Sequence, residues 1–395
     1  MFSMTRRKKV TLNIAIGVVL ISILSSAASA QAVVQGTALL ATAKLNNLRL
    51  HTSGPWIKDV QGNTVTLRGA EDYLRWEYAD ASHNFDPLRY SDISPQKYDL
   101  YRQSGANFIR VHMNKWLWDS SPNYVKAYDT LIEWTSQRGI RVVINFESYT
   151  IIGAQWPVYD WTQEQVIDYL VNGTTQTFLT QLANHFKNKD NVIGFEIMPD
   201  RIADTFWASY RGETPQQARA EYRQAVISII RAIHAVDPTF LAFIYPICYV
   251  CLISFIQESP ITEPNTVWAA IQSVSWDKCC YDYAKAYYNG STSLGYSLMA
   301  SFYQQNLFYA TELGYPVILL ETEAKTDLPS ADQYVADLFT IFRQNQIGIC
   351  WWPYDIPQGT SGLWGWINLL QLSGTRLKLT PIGRVWAKHL QLFST

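Results

Sequence analysis

The sequence predicts a single (β/α)₈ barrel over residues 49–395, a closed parallel sheet of eight strands surrounded by helices. Short β-rich apolar runs alternate with helical patterns between residues 50 and 392, and eight such units can be counted. Continuously apolar runs such as Arg141–Phe146 are typical of parallel strands covered on both faces. The alternative is a doubly wound open sheet. It is disfavoured because no glycine-rich phosphate loop follows the first strand.

The strands and helices are expected in regular alternation. The strand candidates are Thr64–Gly69, Asn107–His112, Arg141–Glu147, Val192–Met198, Phe240–Tyr245, Thr266–Gln272, Val317–Glu321 and Ile347–Trp352. The helical candidates are Pro95–Ser104, Tyr124–Arg138, Thr174–Lys187, Pro215–Ala235, Tyr296–Leu313, Ala331–Gln344 and Pro381–Leu392, with a weaker one at Cys251–Glu258. Pro215 and Pro381 suit the first position of a helix, where the missing N–H costs little. Gly105, Gly139 and Gly314 suit the left-handed position that ends one.

The first 30 residues have the pattern of a secretory signal peptide. Basic residues 6–9 precede an apolar run at 14–24, and Ala28-Ser29-Ala30 fits cleavage after Ala30. An uncleaved membrane anchor is the alternative. We expect residues 31–48 to form a short linker, and the mature protein to be secreted and extracellular without stable membrane insertion.

Composition and charge exclude several classes of function. Apolar residues make up 48% of the chain, which excludes a disordered or fibrous protein. The 32 basic and 33 acidic residues include no basic stripe, which argues against nucleic acid as a partner. Without the four basic residues of the signal segment, 28 basic residues remain against 33 acidic, a net charge of −5. We expect a monomer with no cofactor and no metal.

The five cysteines fit disulfide chemistry better than a metal site. In an exported protein we expect pairing between Cys248 or Cys251 and Cys279 or Cys280, with Cys350 a buried free thiol. The alternative is a zinc or redox protein. It is disfavoured because the adjacent second pair lacks the spacing that a tetrahedral ion needs.

Tryptophans are concentrated where strands of the predicted barrel end. Eleven of the 15 fall at or after a strand's C-terminal end: Trp76, Trp116, Trp118, Trp156, Trp161, Trp207, Trp276, Trp351, Trp352, Trp364 and Trp366. Flat aromatic faces suit the apolar faces of sugar rings, so this arrangement predicts a saccharide cleft. The alternative is that these rings pack the loops onto the barrel.

Carboxylates also end three strands of the predicted barrel. Glu147, Asp200 and Glu321 follow the third, fourth and seventh strands. Glycoside hydrolysis needs two carboxylates facing each other across the scissile bond, which makes these three the catalytic candidates. Glu196 lies about 13 Å deeper than Asp200 along the strand and is interpreted as part of a polar layer inside the barrel, or as a residue that supports the catalytic groups. His112 is interpreted as a satisfied structural histidine.

Three strand segments have a recognisable pattern: Gly105-Ala-Asn-Phe-Ile-Arg-Val, Asn191-Val-Ile-Gly-Phe-Glu-Ile-Met and Pro316-Val-Ile-Leu-Leu-Glu. They resemble glycoside hydrolase family 5, the cellulase-like retaining (β/α)₈ enzymes, and the similarity runs from about Trp56 to the C-terminus. The resemblance implies that Glu321 is the nucleophile and that Arg110 supports it. It also implies that Trp351 or Trp352 is a sugar platform. Trp116 and Trp276 are further candidates for substrate binding.

The sequence departs from the family pattern at positions that carry the family's catalytic residues. The family's Asn-Glu-Pro after strand four is replaced by Pro199-Asp200-Arg201, and its strand-three histidine by Glu147. Its strand-six His-x-Tyr is replaced by residues near 271–273. Either the site is rebuilt around Asp200, Glu147 and Glu321, or hydrolysis is lost while the cleft remains.

The sequence therefore predicts a secreted glycoside hydrolase, an endo-β-glycanase of the cellulase or mannanase kind, that acts on a β-linked polysaccharide or glycan. Glu321 is the predicted nucleophile and Asp200 the general acid/base, with Glu147 as the substitute acid. The alternative is a non-catalytic carbohydrate-binding or cell-surface protein on a degenerate barrel.

Overall fold

The computed structural model describes most of the chain after residue 47, as one compact unit. The described residues are 48–72, 94–113, 115–146, 162–197, 202–247, 252–272, 274, 281–325, 327–355, 369–373 and 376–394. The predicted signal peptide and all but the last residue of the predicted linker lie outside these ranges.

Eight parallel strands form a closed barrel, as predicted. In chain order they are β3 (Arg68–Asp72), β4 (Phe108–Met113), β5 (Arg141–Phe146), β6 (Val192–Glu196), β7 (Leu241–Ile244), β8 (Thr266–Ile271), β9 (Val317–Thr322) and β10 (Gly348–Asp355). Each strand pairs with its neighbours in sequence, and β10 closes the barrel on β3. Because every strand runs the same way, their C-terminal ends meet at one rim, which we call the mouth.

Helices cover the outside of the barrel. They are α1 (Pro95–Gln103), α2 (Lys115–Ser120), α3 (Pro122–Ser136), α4 (Gln163–Val171), α5 (Thr174–Phe186), α6 (Asp204–Arg211), α7 (Pro215–Val236), α8 (Leu252–Glu258), α9 (Asp282–Tyr288), α10 (Thr292–Tyr303), α11 (Tyr309–Glu312), α12 (Ala331–Gln344) and α13 (Pro381–Gln391). A π-helical turn at Gln304–Phe308 joins α10 to α11. No helix among the described residues is long and apolar enough to cross a membrane.

The predicted helix signals are confirmed at both ends. Pro215 and Pro381 each begin a helix, and the preceding Thr214 and Thr380 side chains accept hydrogen bonds from backbone N–H groups of the first turn. Gly105, Gly139 and Gly314 all have positive φ, as the left-handed position that ends a helix requires.

Two short hairpins lie outside the barrel. β1 (Leu50–Ser53) pairs with β2 (Trp56–Asp59), and β11 (Leu370–Ser373) pairs with β12 (Arg376–Leu379). The first hairpin is fixed at the N-terminal end of the barrel because Arg49 donates to the carbonyl of Val192 over 2.8 Å.

The predicted first strand, Thr64–Gly69, is wrong by four residues at its start. Thr64 forms an antiparallel bridge with Lys58 and so continues the N-terminal hairpin. The barrel strand begins only at Arg68, whose backbone N–H is held by the Asn107 side chain over 2.9 Å. As a result Glu71, which lay beyond the predicted strand, is on the barrel.

Candidate active site

Glu321 lies near the end of β9, at the mouth of the barrel. Residues 317–320 of this strand are buried, whereas the Glu321 side chain is 25% exposed. The Nη1 of Arg110, on β4, donates to Glu321 Oε2 over 2.9 Å. The structure therefore brings together the two residues that the resemblance pairs.

The guanidinium of Arg110 binds three carboxylates from three strands. Its Nε and Nη2 donate to the two oxygens of Glu196 over 2.5 and 2.9 Å. Its Nη1 contacts Glu71 Oε2 as well as Glu321. Arg110 is 1% exposed and the Glu71 and Glu196 side chains are fully buried, so the interactions are shielded from water. The predicted polar layer containing Glu196 is confirmed.

The neighbouring carboxylates keep Arg110 protonated and positively charged. Burial by itself lowers the pKa of Arg110, but the negative charges of Glu196 and Glu321 outweigh it and raise that pKa well above its usual value. A guanidinium that stays charged therefore places a permanent positive charge beside the Glu321 carboxylate.

Two further polar side chains complete this network from neighbouring strands. The Tyr245 hydroxyl, just after β7, donates to Glu196 Oε2 over 2.8 Å, and burial with the charge of Glu196 raises the pKa of Tyr245. The His112 Nε2 contacts Glu71 Oε1. Burial, followed by the charge of Arg110, lowers the pKa of His112 well below its usual value, so His112 is neutral and donates its Nε2–H to Glu71. His112 is thus the satisfied histidine that the sequence predicts.

Asn145 is a buried amide at the same level of the barrel. It is in register with His112 on β4 and with Glu196 on β6, so it shares their inward-facing side. Neither its Oδ1 nor its Nδ2 has a hydrogen-bond partner among the described residues. Because buried amides normally make hydrogen bonds, this one has capacity to bind a water or a ligand hydroxyl.

The two candidate platforms on β10 differ in exposure. The Trp351 side chain is fully buried, whereas Trp352 is partly exposed. Cys350 is a buried free thiol, as predicted. Burial, aided by the charges of Glu196 and Glu321, raises the pKa of Cys350, so this thiol lies near the same network. Of the two tryptophans, Trp352 is the one whose side chain reaches solvent.

The prediction of a sugar cleft is wrong for two other tryptophans. Trp118, on α2, is 6% exposed and packs edge-on against Tyr128. Trp207, on α6, is fully buried, packs against Tyr222 and donates its indole N–H to Glu221. Both rings lie on helices of the outer layer, Trp118 on α2 and Trp207 on α6.

Several predicted site residues lie outside the described residues. These are Glu147, Asp200 and Trp276, together with the side chain of Trp116 and the cysteines of the predicted disulfides, Cys248, Cys251, Cys279 and Cys280. Their roles stay predictions. Among the residues that the structure does describe, no group of His, Cys, Asp or Glu is arranged to hold a metal ion.

The sequence interpretation missed Glu71 and Tyr245 as members of the network. Glu71 was missed because the first strand was predicted to end at Gly69. The alternation of β3 was the available signal, since Gly69 and Glu71 share a face and Glu71 is in register with Arg110. Tyr245 ends the fifth predicted strand, and the signal for its role is that it has the same parity as Phe243, which is in register with Glu196.

Fold and geometry together define a class of protein. This is a closed (β/α)₈ barrel whose mouth carries a partly exposed strand-end glutamate held by a buried arginine. Residues 70–244 match the model of the cellulase family, glycosyl hydrolase family 5. The predicted resemblance is confirmed.

Solved structures of glycosidases share the fold. A β-glucanase from Saccharophagus degradans, in complex with cellotetraose, has a TM-score of 0.62 at 16% identity, covering 88% of this chain and 94% of that chain. An endogalactoceramidase has a TM-score of 0.61 at 16% identity, covering 87% and 84%. An exo-β-1,4-mannosidase from Opitutaceae bacterium strain TAV5 has a TM-score of 0.57 at 14% identity, covering 87% and 62%. No curated protein matches the chain.

Proposed function

We propose that this protein is a secreted glycoside hydrolase that cleaves O-glycosidic bonds of a β-linked polysaccharide or glycan. The observation that carries the proposal is the contact between Arg110 and Glu321 at the mouth of a barrel that matches the family 5 model. Export rests on the N-terminal signal pattern, and cleavage after Ala30 is part of the proposal.

The proposed mechanism uses two carboxylates and retains the anomeric configuration. Glu321 attacks the anomeric carbon and forms a glycosyl–enzyme intermediate, while an acid on the other side protonates the leaving oxygen. Asp200 takes the acid/base role, with Glu147 as the substitute acid. Arg110 keeps Glu321 ionised for the attack, which is supported by the 2.9 Å contact.

The substrate class is proposed as a β-glycan of the glucan or mannan kind. This is supported by the named activities of the similar structures, a β-glucanase and an exo-β-1,4-mannosidase. The test is a panel of β-glucans, mannans, xylans and glycolipid glycans, assayed for new reducing ends from acid to neutral pH. Reducing-end release from at least one member is expected.

Glu321→Gln should reduce that release to background because the amide cannot act as the nucleophile, whereas its shape and its contact with Arg110 are retained. The matched control is Glu312→Gln, an exposed glutamate on α11 that precedes the same strand. It should keep full activity. Full activity in Glu321→Gln would refute the assignment of the nucleophile.

A non-catalytic saccharide-binding protein is the second candidate. It is favoured by the sequence Pro199-Asp200-Arg201, which lacks the asparagine and glutamate of the family pattern. This candidate requires saturable binding of an oligosaccharide without reducing-end release by the wild-type protein. Calorimetric titration with cellotetraose, run beside the activity panel, separates the two.

A further inference from the structure

A single nitrogen atom joins two carboxylates at the base of the site. Arg110 Nη1 contacts Glu71 Oε2 on one side and Glu321 Oε2 on the other. The other two nitrogens of the guanidinium are occupied by Glu196. Glu71 and Glu321 therefore depend on the same donor and lie as close neighbours, one fully buried and the other partly exposed at the mouth.

Around Arg110 Nη1, acidic side chains outnumber basic ones. The ionisable groups of the described residues near Glu321 come from five other strands: Glu71 on β3, Arg110 and His112 on β4, Glu196 on β6, Tyr245 after β7 and Cys350 on β10. Asn145 on β5 and the Gln272 backbone N–H, which donates to the Glu321 carbonyl over 3.0 Å, are neutral. Glu323, two residues after Glu321, is buried and acidic.

Only Arg110 among these groups carries a positive charge. His112 is neutral because burial and Arg110 lower its pKa, and the Tyr245 and Cys350 protons are retained because burial raises theirs. One guanidinium thus faces three carboxylates. Two like charges that share a donor raise the cost of ionising either of them.

We propose that Glu71 is a positioning residue that sets the pH at which Glu321 ionises, by competing with it for Nη1 of Arg110. This rests on the proposed function in so far as Glu321 is the nucleophile. Glu71 is suited to the role because its second oxygen is held by His112, so its carboxylate cannot turn away from Arg110. With a neutral residue at position 71, Glu321 is the one carboxylate that contacts Nη1, and no negative charge from position 71 repels it.

The consequence is a shift of the acid limb of the pH–rate profile. In Glu71→Gln the negative charge beside Glu321 is absent, so Glu321 stays ionised to lower pH. The acid limb of kcat/KM should move down by about one pH unit, the size expected for a neighbouring buried charge. The basic limb, which reports the acid/base residue, should move less.

Two further variants separate charge from structure. Glu71→Asp keeps the charge and should keep the acid limb near its wild-type position. Asp72→Asn is the matched control, because Asp72 is the next residue on the same strand but binds Lys97 over 2.6 Å and Tyr98 over 3.0 Å on the other face. It should lower the melting temperature and leave the acid limb unchanged.

The titration of Glu321 can also be measured without hydrolysis. In the full chain with ¹³C-labelled glutamate carboxyls, the Glu321 and Glu71 signals are assigned by their loss in Glu321→Gln and Glu71→Gln. The Glu321 midpoint should fall in Glu71→Gln. In the wild-type protein the two carboxyls should titrate in shared steps. Because the Glu321 signal is assigned from Glu321→Gln alone, its two-step titration remains a readout even where Glu71→Gln does not fold.

The outcomes distinguish this proposal from the proposed function. An unchanged or raised Glu321 midpoint in Glu71→Gln, or independent single-step titrations in the wild type, overturns the role of Glu71. A coupled Glu321 titration in a protein that releases no reducing ends supports Glu71 and overturns the hydrolase.

Discussion

At the scale of single residues, Trp351 and Trp352 are neighbours in sequence with opposite environments. Trp351→Ala removes a fully buried ring and should cost about 3–5 kcal/mol of unfolding free energy. Trp352→Ala removes a partly exposed ring at the mouth and should weaken cellotetraose binding roughly tenfold, about 1.4 kcal/mol. Urea unfolding and calorimetric titration of both variants check the pair. Equal effects of the two changes in both measurements would contradict the distinction.

The buried side chain of Asn145 makes no hydrogen bond to any described residue. Asn145→Leu replaces an amide without partners among the described residues by an apolar group of similar size, and should raise the unfolding free energy by about 1–3 kcal/mol. Asn145→Asp, which adds a buried charge beside Glu196, is the opposite change and should destabilise the protein. A loss of stability in Asn145→Leu would mean that the amide is satisfied, for instance by internal water.

At the scale of elements, the approach of neighbouring strands is set by glycine. A Cβ at Gly194 on β6 would lie 2.1 Å from the carbonyl oxygen of Leu241 on β7, so Gly194→Ala must separate the two strands. We expect a loss of more than about 3 kcal/mol in urea unfolding, with reduced activity because β6 also carries Glu196. Gly173→Ala is the matched control. Gly173 has positive φ but open space around it, and the change should cost only about 1 kcal/mol.

The elements were predicted best where periodicity and end signals agree. α12 was predicted at its exact bounds, Ala331–Gln344, because a full helical stripe lies between clear ends. Two other helices, α4 (Gln163–Val171) and α6 (Asp204–Arg211), were not predicted. The barrel was predicted from the number of apolar strands, and that number does not change when the ends of one strand are misplaced.

The candidate site was predicted in part, for a physical reason. Arg110 and Glu321 each belong to a local motif, so the sequence places Arg110 within its strand and Glu321 at the end of another. Glu71 belongs to no motif, and it was missed because the predicted first strand ends at Gly69, two residues before it. Contacts across a closed barrel depend on the register of non-adjacent strands, and a sequence read along one chain does not supply that register.

At the scale of the whole molecule, the fold and the chemistry depend on different residues of the barrel. The similar structures share no more than 16% identity with this chain at TM-scores near 0.6, so the closed sheet tolerates wide replacement of its side chains. Within that sheet the charged network is specific to its residues, since three buried or half-buried glutamates converge on one arginine. Replacement of a site residue can therefore change activity while the barrel persists.

The stability of the whole molecule should fall on mild acidification because of two histidines. Burial and Arg110 lower the pKa of His112, and burial with Lys388 and Arg343 lowers the pKa of His389, with Asp337 opposing. Unfolded histidines take up protons below about pH 6.5, whereas native His112 does not. The unfolded state then binds more protons, so the unfolding free energy decreases as pH falls from about 6.5 towards 5.

The slope from His112 alone approaches about 1.4 kcal/mol per pH unit, and His389 adds a smaller amount because it is only partly buried. Urea unfolding at three pH values between 7.5 and 5 measures the total. His112→Gln should flatten the dependence in this window, because glutamine does not titrate and can still donate to Glu71. His389→Gln should flatten it less. A wild-type slope that persists in the double variant would assign the acid sensitivity to the carboxylates instead.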